Sequence, residues 1–239
     1  MSTEHLYDRY YYQRPGFESG TVTFHSLCKR HILPGSTILE IGSGPSNETS
    51  DFLATLGQLH GVDISDEVKQ NRAVQFAHVY DGNTLPFADG AFDACVSNYV
   101  LEHVADPSRH FEEVRRVLKR DGVYVFRTPN FLYYVSLVSA LVPHQVHRAV
   151  ANRLRGLEAE AHEPWPTFYR ANSTASLKRQ AAASSLHLEE CALIEREPSY
   201  GRATALLFFP MMVWERILNA TTKLAWLRAN ILGVMRRGS

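Results

Sequence analysis

Glu40, Gly42 and Gly44 lie in the stretch Thr37-Ile-Leu-Glu-Ile-Gly-Ser-Gly-Pro-Ser46, an apolar run that stops at two glycines before a polar, helix-starting segment. The pattern predicts a strand, a tight turn and a helix. Glycines at that junction let the backbone approach a ligand closely, and the helix start offers unpaired N–H groups and the positive end of its dipole. Nucleotide-like cofactors are held this way. Asp63, 21 residues after Gly42, ends a second apolar run, Gln58 to Ser65. At the end of the second strand of a doubly wound sheet, a carboxylate is placed to accept from ribose hydroxyls; Asp63 can equally serve as a helix N-cap or turn residue. Ile64 beside it can lie against a purine face or belong to the core. A dinucleotide fingerprint asks for a third glycine, where this chain has Asn47.

The elements that must position these residues alternate at short intervals. Helical spacing over Thr21 to His31 ends at Pro34-Gly35. A helix over Asn47 to Leu56 follows the glycine turn, then a polar helix over Asp66 to Arg72, a third strand over Gln75 to Tyr80 and a fourth over Phe92 to Ser97. Asp106 and Pro107 start an amphipathic helix with Phe111, Val114, Val117 and Leu118 on its apolar side, ended by Gly122. Val123 to Thr128 reads as a buried fifth strand. Such alternation argues for parallel βαβ units and a sheet covered on both faces. Ser97, Asn98 and Tyr99 then stand at the carboxyl end of the fourth strand, where open sheets place their ligands. His103 follows one helical turn later and is the side chain suited to take a hydroxyl proton, since an imidazole titrates near neutral pH; supporting the site or capping the helix is its other use.

The order Glu40-x-Gly-x-Gly44, Val62-Asp63, Asp81-Gly-Asn-x-Leu-Pro-Phe87, Phe92-Asp93 and Val100-Leu-Glu-His-Val104 resembles class I S-adenosylmethionine (SAM) methyltransferases. The likeness is to small-molecule enzymes related to those of ubiquinone and menaquinone biosynthesis, and it covers roughly residues 36 to 130. The resemblance implies SAM as cofactor, with Glu40 and the Gly42–Gly44 backbone on its methionine part, Asp63 on the ribose and Asp81-Gly82 at the adenine. Asp81 has the chemistry to accept from an exocyclic amine, and equally to close an Asx turn before Gly82. Some quinone O-methyltransferases of the family carry Glu-x-x-Glu-His and hold a divalent metal with it. Here Tyr99 takes the first position, and Glu102 with His103 alone makes a poor magnesium site, so metal independence is expected. The implied fold is a Rossmann-like seven-stranded, mostly parallel sheet with helices on both faces and an antiparallel last strand. Helical insertions come after strand 5 and between strands 6 and 7.

At 239 residues and 45% hydrophobic, the chain has length for one such domain. It divides into an N-terminal cap or lid (1–35), a SAM-binding core (36–130), a substrate-lid insertion (131–172) and a C-terminal sheet half with apolar helices (173–239). Tyr11 and Tyr12 in the cap, with Tyr99 and Tyr133, are candidate walls for the acceptor; the cap tyrosines serve as well to cover the domain's flank. Zero net charge, from 25 basic and 25 acidic residues, gives no field to recruit nucleic acid. The fourth strand is followed by no Asn-Pro-Pro-Tyr-like base-flipping motif. Cys28, Cys95 and Cys191 lie too far apart for a zinc knuckle or disulfide framework, and the N-terminus has no secretory pattern, which together fit a cytoplasmic protein. The segment 204–228 is apolar, with Arg216, Lys223 and Arg228 among Trp214 and Trp226. A hairpin of helices there would rest in a bilayer interface, pack on the lid, or self-associate. The acceptor expected is a small or lipid-linked molecule with a hydrophobic portion. Two rivals remain: a catalytically silent SAM-binding partner, and a nicotinamide-dependent oxidoreductase, which would want the missing glycine and a Tyr-x-x-x-Lys pair.

Overall fold

The computed structural model describes residues 3–133, 165–198 and 205–238. Helix α1 (Glu4–Tyr7) continues as a wider turn over Asp8–Tyr12, and α2 (Gly20–His31) leads to β1 (Ser36–Ile41). Then come α3 (Glu48–Ala54), β2 (Gly57–Asp63), β3 (Phe76–Val79), β4 (Phe92–Asn98), α4 (Pro107–Val117) and β5 (Leu118–Pro129). The later part holds α5 (Thr174–Ala183), β6 (Leu186–Ile194), α6 (Ala205–Ala220) and β7 (Asn230–Arg237). Seven strands join in the order β3-β2-β1-β4-β5-β7-β6. β1 pairs in parallel with β2 and β4, β2 with β3, and β4 with β5; the last strand runs antiparallel, as expected. Strand order reverses between β1 and β4, and there the carboxyl ends of the strands open a crevice.

Local chemistry explains the boundaries. The Asn47 side chain caps α3 by accepting from the N–H groups of Thr49 and Ser50, both at 3.0 Å, and Asp106 caps α4 with Pro107 in the first turn; each such cap is worth about 1 kcal/mol. The central strands are buried on both faces: Ile38, Leu39, Ile41, Leu59, Val62 and Val96 are wholly inaccessible. Three expectations need correcting. α4 stops at Val117 instead of running to Gly122, because Leu118 already pairs with Phe92 and Asp121 turns the chain with φ 61°. The segment before β7 is one α-helix, α6, followed by a 3₁₀ stretch over Thr222–Leu227, in place of a hairpin of helices. The polar helix after β2 is also a short 3₁₀ turn, Asp66–Gln70. The insertion expected as a substrate lid falls, for residues 134–164, outside the described residues.

The chain divides into two compact units. Phe24–Pro129, Thr167–Ala192 and Ile231–Ser239 make up the sheet unit; Met1–Thr23, Asn130–Pro166 and Leu193–Asn230 make up the other.

Candidate cofactor site

β1 carries Glu40 into the interior, beside Gly61 of β2 and Val96 of β4. The backbone then enters the left-handed region at Gly42 (φ 71°) and Gly44 (φ 52°), for two different reasons. A Cβ on Gly42 would stand 2.4 Å from Val100 Cγ2, so this turn packs against the loop after β4; a Cβ on Gly44 would meet nothing within 4 Å. Open space beside a bare backbone is the room a ligand needs.

Four polar side chains fix this loop. Ser50 Oγ donates to Glu40 Oε2 at 2.7 Å and accepts from the amides of Asn47 and Asn71, both at 2.9 Å. Asn71 also directs its NH2 group at the carbonyls of Ser43, Gly44 and Pro45, at 3.3, 3.3 and 3.2 Å. Burial pushes the Glu40 carboxyl up to about 7, the Ser50 hydrogen bond pulling it down and the Asp63 charge adding to the rise. Asp63 is half-buried and accepts the Gly44 N–H on Oδ2 and the Ser65 N–H on Oδ1, both at 2.9 Å. It thereby ties the second strand to the glycine loop and keeps further lone pairs for a ligand.

Ile64 stands 44% exposed, and a Cβ on Gly82 would lie 3.3 Å from its Cγ2. The ends of β2 and β3 thus bring Asp63, Ile64 and Gly82 together. Asp81 is exposed and accepts the N–H groups of Asn83 and Thr84 on Oδ1, both at 2.8 Å, which holds its carboxyl below the usual range. This is the Asx turn.

At the end of β4 the two neighbours part company, since successive strand residues face opposite sides. Ser97 is fully buried and shares a hydrogen bond of 2.6 Å with the Tyr124 hydroxyl, so its side chain serves the core and not the crevice. Asn98 accepts from Arg127 Nε at 2.7 Å and donates to Thr49 Oγ1 at 3.2 Å. Thr49 Oγ1 also meets His25 Nε2 at 3.2 Å, and His25 stacks on Phe52 with ring centroids 4.3 Å apart. Burial lowers the His25 pKa, so this imidazole is neutral at pH 7. Tyr99, at φ 58°, lays its 40%-exposed ring 4.5 Å from the Arg127 guanidinium. His103 closes a 3₁₀ turn, Leu101–His103, and is half-buried. Glu102 is turned inward, its carboxylate accepting from Thr128 at 3.1 Å and its carbonyl from Phe168 N–H at 2.7 Å. Ser50, Asn71, Thr49, His25 and Arg127 were not among the expected site residues; only Ser50 left a sequence signal, its i+3 spacing from the capping Asn47.

The remaining candidates belong to the other unit. Tyr11 is 1% exposed, donates to Glu215 Oε2 at 3.0 Å and packs with Leu6, Tyr7 and Phe208. Tyr12 is 44% exposed, and Tyr133 is buried at the end of a described stretch.

Residues 39–126, the stretch from the end of β1 into β5, match the family model of a methyltransferase domain. Over those residues the chain carries the features of a SAM-dependent methyltransferase domain. An uncharacterised methyltransferase of Mycolicibacterium gilvum (strain PYR-GCK) is 38% identical over 98 residues, 37% of each chain. An uncharacterised 37.1 kDa protein in transposon TN4556 of Streptomyces fradiae is 32% identical over 108 residues, 41% of this chain and 31% of that one. The chain thus spans about a third of the length of these curated relatives. Among solved structures, the methyltransferase in complex with the Haloferax volcanii Trm112 methyltransferase activator superposes with a TM-score of 0.56 over 91% of this chain and 94% of that one, at 19% identity, a likeness of fold. The methyltransferase domain fits its cofactor on three counts seen above: open space at Gly44, a buried carboxylate at Glu40, and an exposed apolar side chain, Ile64, next to Gly82.

Proposed function

We propose that this chain transfers the SAM methyl group to a small-molecule or lipid-linked acceptor with a hydrophobic portion. The observation that carries the reading is the glycine corner, where Glu40 and Asp63 flank a loop whose backbone is bare at Gly44 and whose shape is already fixed by Asn47, Ser50 and Asn71. Glu40 and the loop hold the methionine part, a buried carboxylate being a fit partner for its ammonium. Asp63 holds the ribose, and Ile64, Gly82 and Asp81 surround the adenine. SAM itself supplies an activated methyl group on a sulfonium. The protein then has to orient the acceptor in line and exclude water, with Tyr99 as a wall and His103 taking the acceptor's proton. No metal is needed for such a displacement, and turnover is expected to survive chelation.

The hydrophobic acceptor is supported by α6. Its exposed side carries Leu206, Phe209, Val213 and Ile217, while Phe208, Glu215 and Leu218 are buried on the other. At 16 residues it is about 24 Å long, short of a bilayer's ~30 Å, and no helix among the described residues is long and apolar enough to cross a membrane. The single acid of 205–228, Glu215, is buried, whereas Arg216, Lys223 and Trp226 are exposed. An apolar stripe edged by cations and an indole suits peripheral contact with an anionic bilayer.

The test is transfer of label from methyl-labelled SAM into lipid and aqueous extracts. Label in the lipid fraction is expected, with His103→Ala slower by about 100-fold or more. Turnover in His103→Ala within about threefold of the parent would remove the base assignment. SAM binding without label in either fraction would mean a silent SAM-binding protein.

A further inference from the structure

The unit formed by Met1–Thr23, Asn130–Pro166 and Leu193–Asn230 contains a cavity of its own, about 470 Å³, within the size range of small-ligand sites. Its wall holds two carboxylates and four guanidiniums: Glu195, Glu215, Arg14, Arg196, Arg216 and Arg228. The charges do not cancel. Glu215 is answered internally, accepting from Tyr11 and Asn219 and pairing with Arg216 Nε at 3.3 Å. Glu195 is 4% exposed and accepts the Ala229 N–H at 2.7 Å; burial pushes it up to about 8, so it is mostly neutral at pH 7.

Three cations form no ion pair with a carboxylate among the described residues, Arg228 acting on Glu195 through its charge alone. Arg228 reaches only the carbonyls of Leu193 and Leu218, at 3.1 and 3.2 Å. The Nε–H groups of Arg196 and Arg228 are buried and find no acceptor, and Arg14 makes no side-chain bond among the described residues. Buried donors without acceptors are rare in folded proteins, because each forfeits its bond to water. Guanidinium forks lining one cavity suit a tetrahedral oxyanion, which offers several acceptors at once.

We propose that this cavity binds a phosphate group, as a phosphate monoester or diphosphate. The site stands on its own residues and holds whether or not the chain is a methyltransferase. Lipid phosphates and soluble phosphate esters share this chemistry, so the experiment must separate them.

The 239-residue chain is titrated calorimetrically with inorganic phosphate and pyrophosphate, alongside Arg196→Gln and Arg14→Gln. Neither side chain makes a hydrogen bond among the described residues, so both variants should fold; melting curves without ligand check this. The parent is expected to bind pyrophosphate saturably, and each variant to bind at least about tenfold more weakly. Absence of saturable binding by the parent, or equal binding by parent and folded variants, would overturn the proposal. Sedimentation with phosphatidic acid vesicles, reversed by free pyrophosphate, would assign the phosphate to a lipid. Pyrophosphate binding without vesicle binding would assign it to a soluble ester, and either result upholds the site.

Discussion

Around Glu40, the side-chain amides and the Ser50 hydroxyl end on backbone or on another side chain: Ser50 on the carboxylate, Asn47 on the start of α3, Asn71 on three loop carbonyls, with Asp63 accepting the Gly44 N–H; the buried Ser43 hydroxyl finds no partner among the described residues. Around Glu195 the accounting stays open, with the Nε–H groups of Arg196 and Arg228 unmet and three guanidiniums outside any ion pair among the described residues. Both regions raise a glutamate pKa by burial, to about 7 and about 8. In the glycine corner a ligand finds a pre-shaped loop and an acid that can ionise to meet a cation. In the other unit a neutral acid leaves positive charge dominant, and the missing partner is an anion. Pre-organisation and unmet donors are two ways in which a fold without ligand records what it binds.

Substitutions at the two loop glycines should separate shape from ligand space, with the largest effect first. Gly42→Ala forces a left-handed alanine against Val100 and should lower stability by about 2–4 kcal/mol in denaturant unfolding. Gly44→Ala carries only the backbone penalty, about 1–2 kcal/mol, yet should weaken SAM because its methyl enters open space. Equal stability losses would break the distinction. Ser50→Ala leaves Asn47, Asn71 and Glu40 each short of a partner and should cost about 1–3 kcal/mol.

The pH dependence follows from Glu40. Its folded pKa is about 7 against a reference of 4.5, so the native state holds the extra proton between those values and stability falls as pH rises across that window. SAM needs the ionised carboxylate for its ammonium, so its affinity should climb with pH up to about 7 and then level. A Glu40→Gln titration that still climbs would place the proton elsewhere. Smallest of all, Tyr11→Phe removes one hydrogen bond to Glu215 and should cost about 1 kcal/mol with SAM affinity unchanged.

The glycine corner was legible because its signal is local: strand, turn and cap occupy consecutive residues, and Asp63 lies one βα unit away. Strand alternation determined the fate of Ser97, whose inward direction becomes visible only once the Tyr124 hydroxyl stands opposite. Asp81-Gly-Asn already spelled an Asx turn. Asn71 was hidden because its partners lie some 20 to 28 residues away and meet it only through the β1–β2 pairing. The end of α4 was misplaced because Leu118 fits an apolar helix stripe as well as a strand, and long-range pairing with Phe92 chose the strand. No spacing rule announces the arginine cavity, whose walls come from four separate stretches of the sequence.

Calorimetric titration of the purified chain with SAM, S-adenosylhomocysteine and NADH, repeated on Asp63→Ala, tests the central claim most directly. The account predicts micromolar-order binding of the two sulfur ligands alone, lost in the variant, as expected for a polar anchor in a preformed pocket. Binding of NADH, or of none of the three, would contradict it.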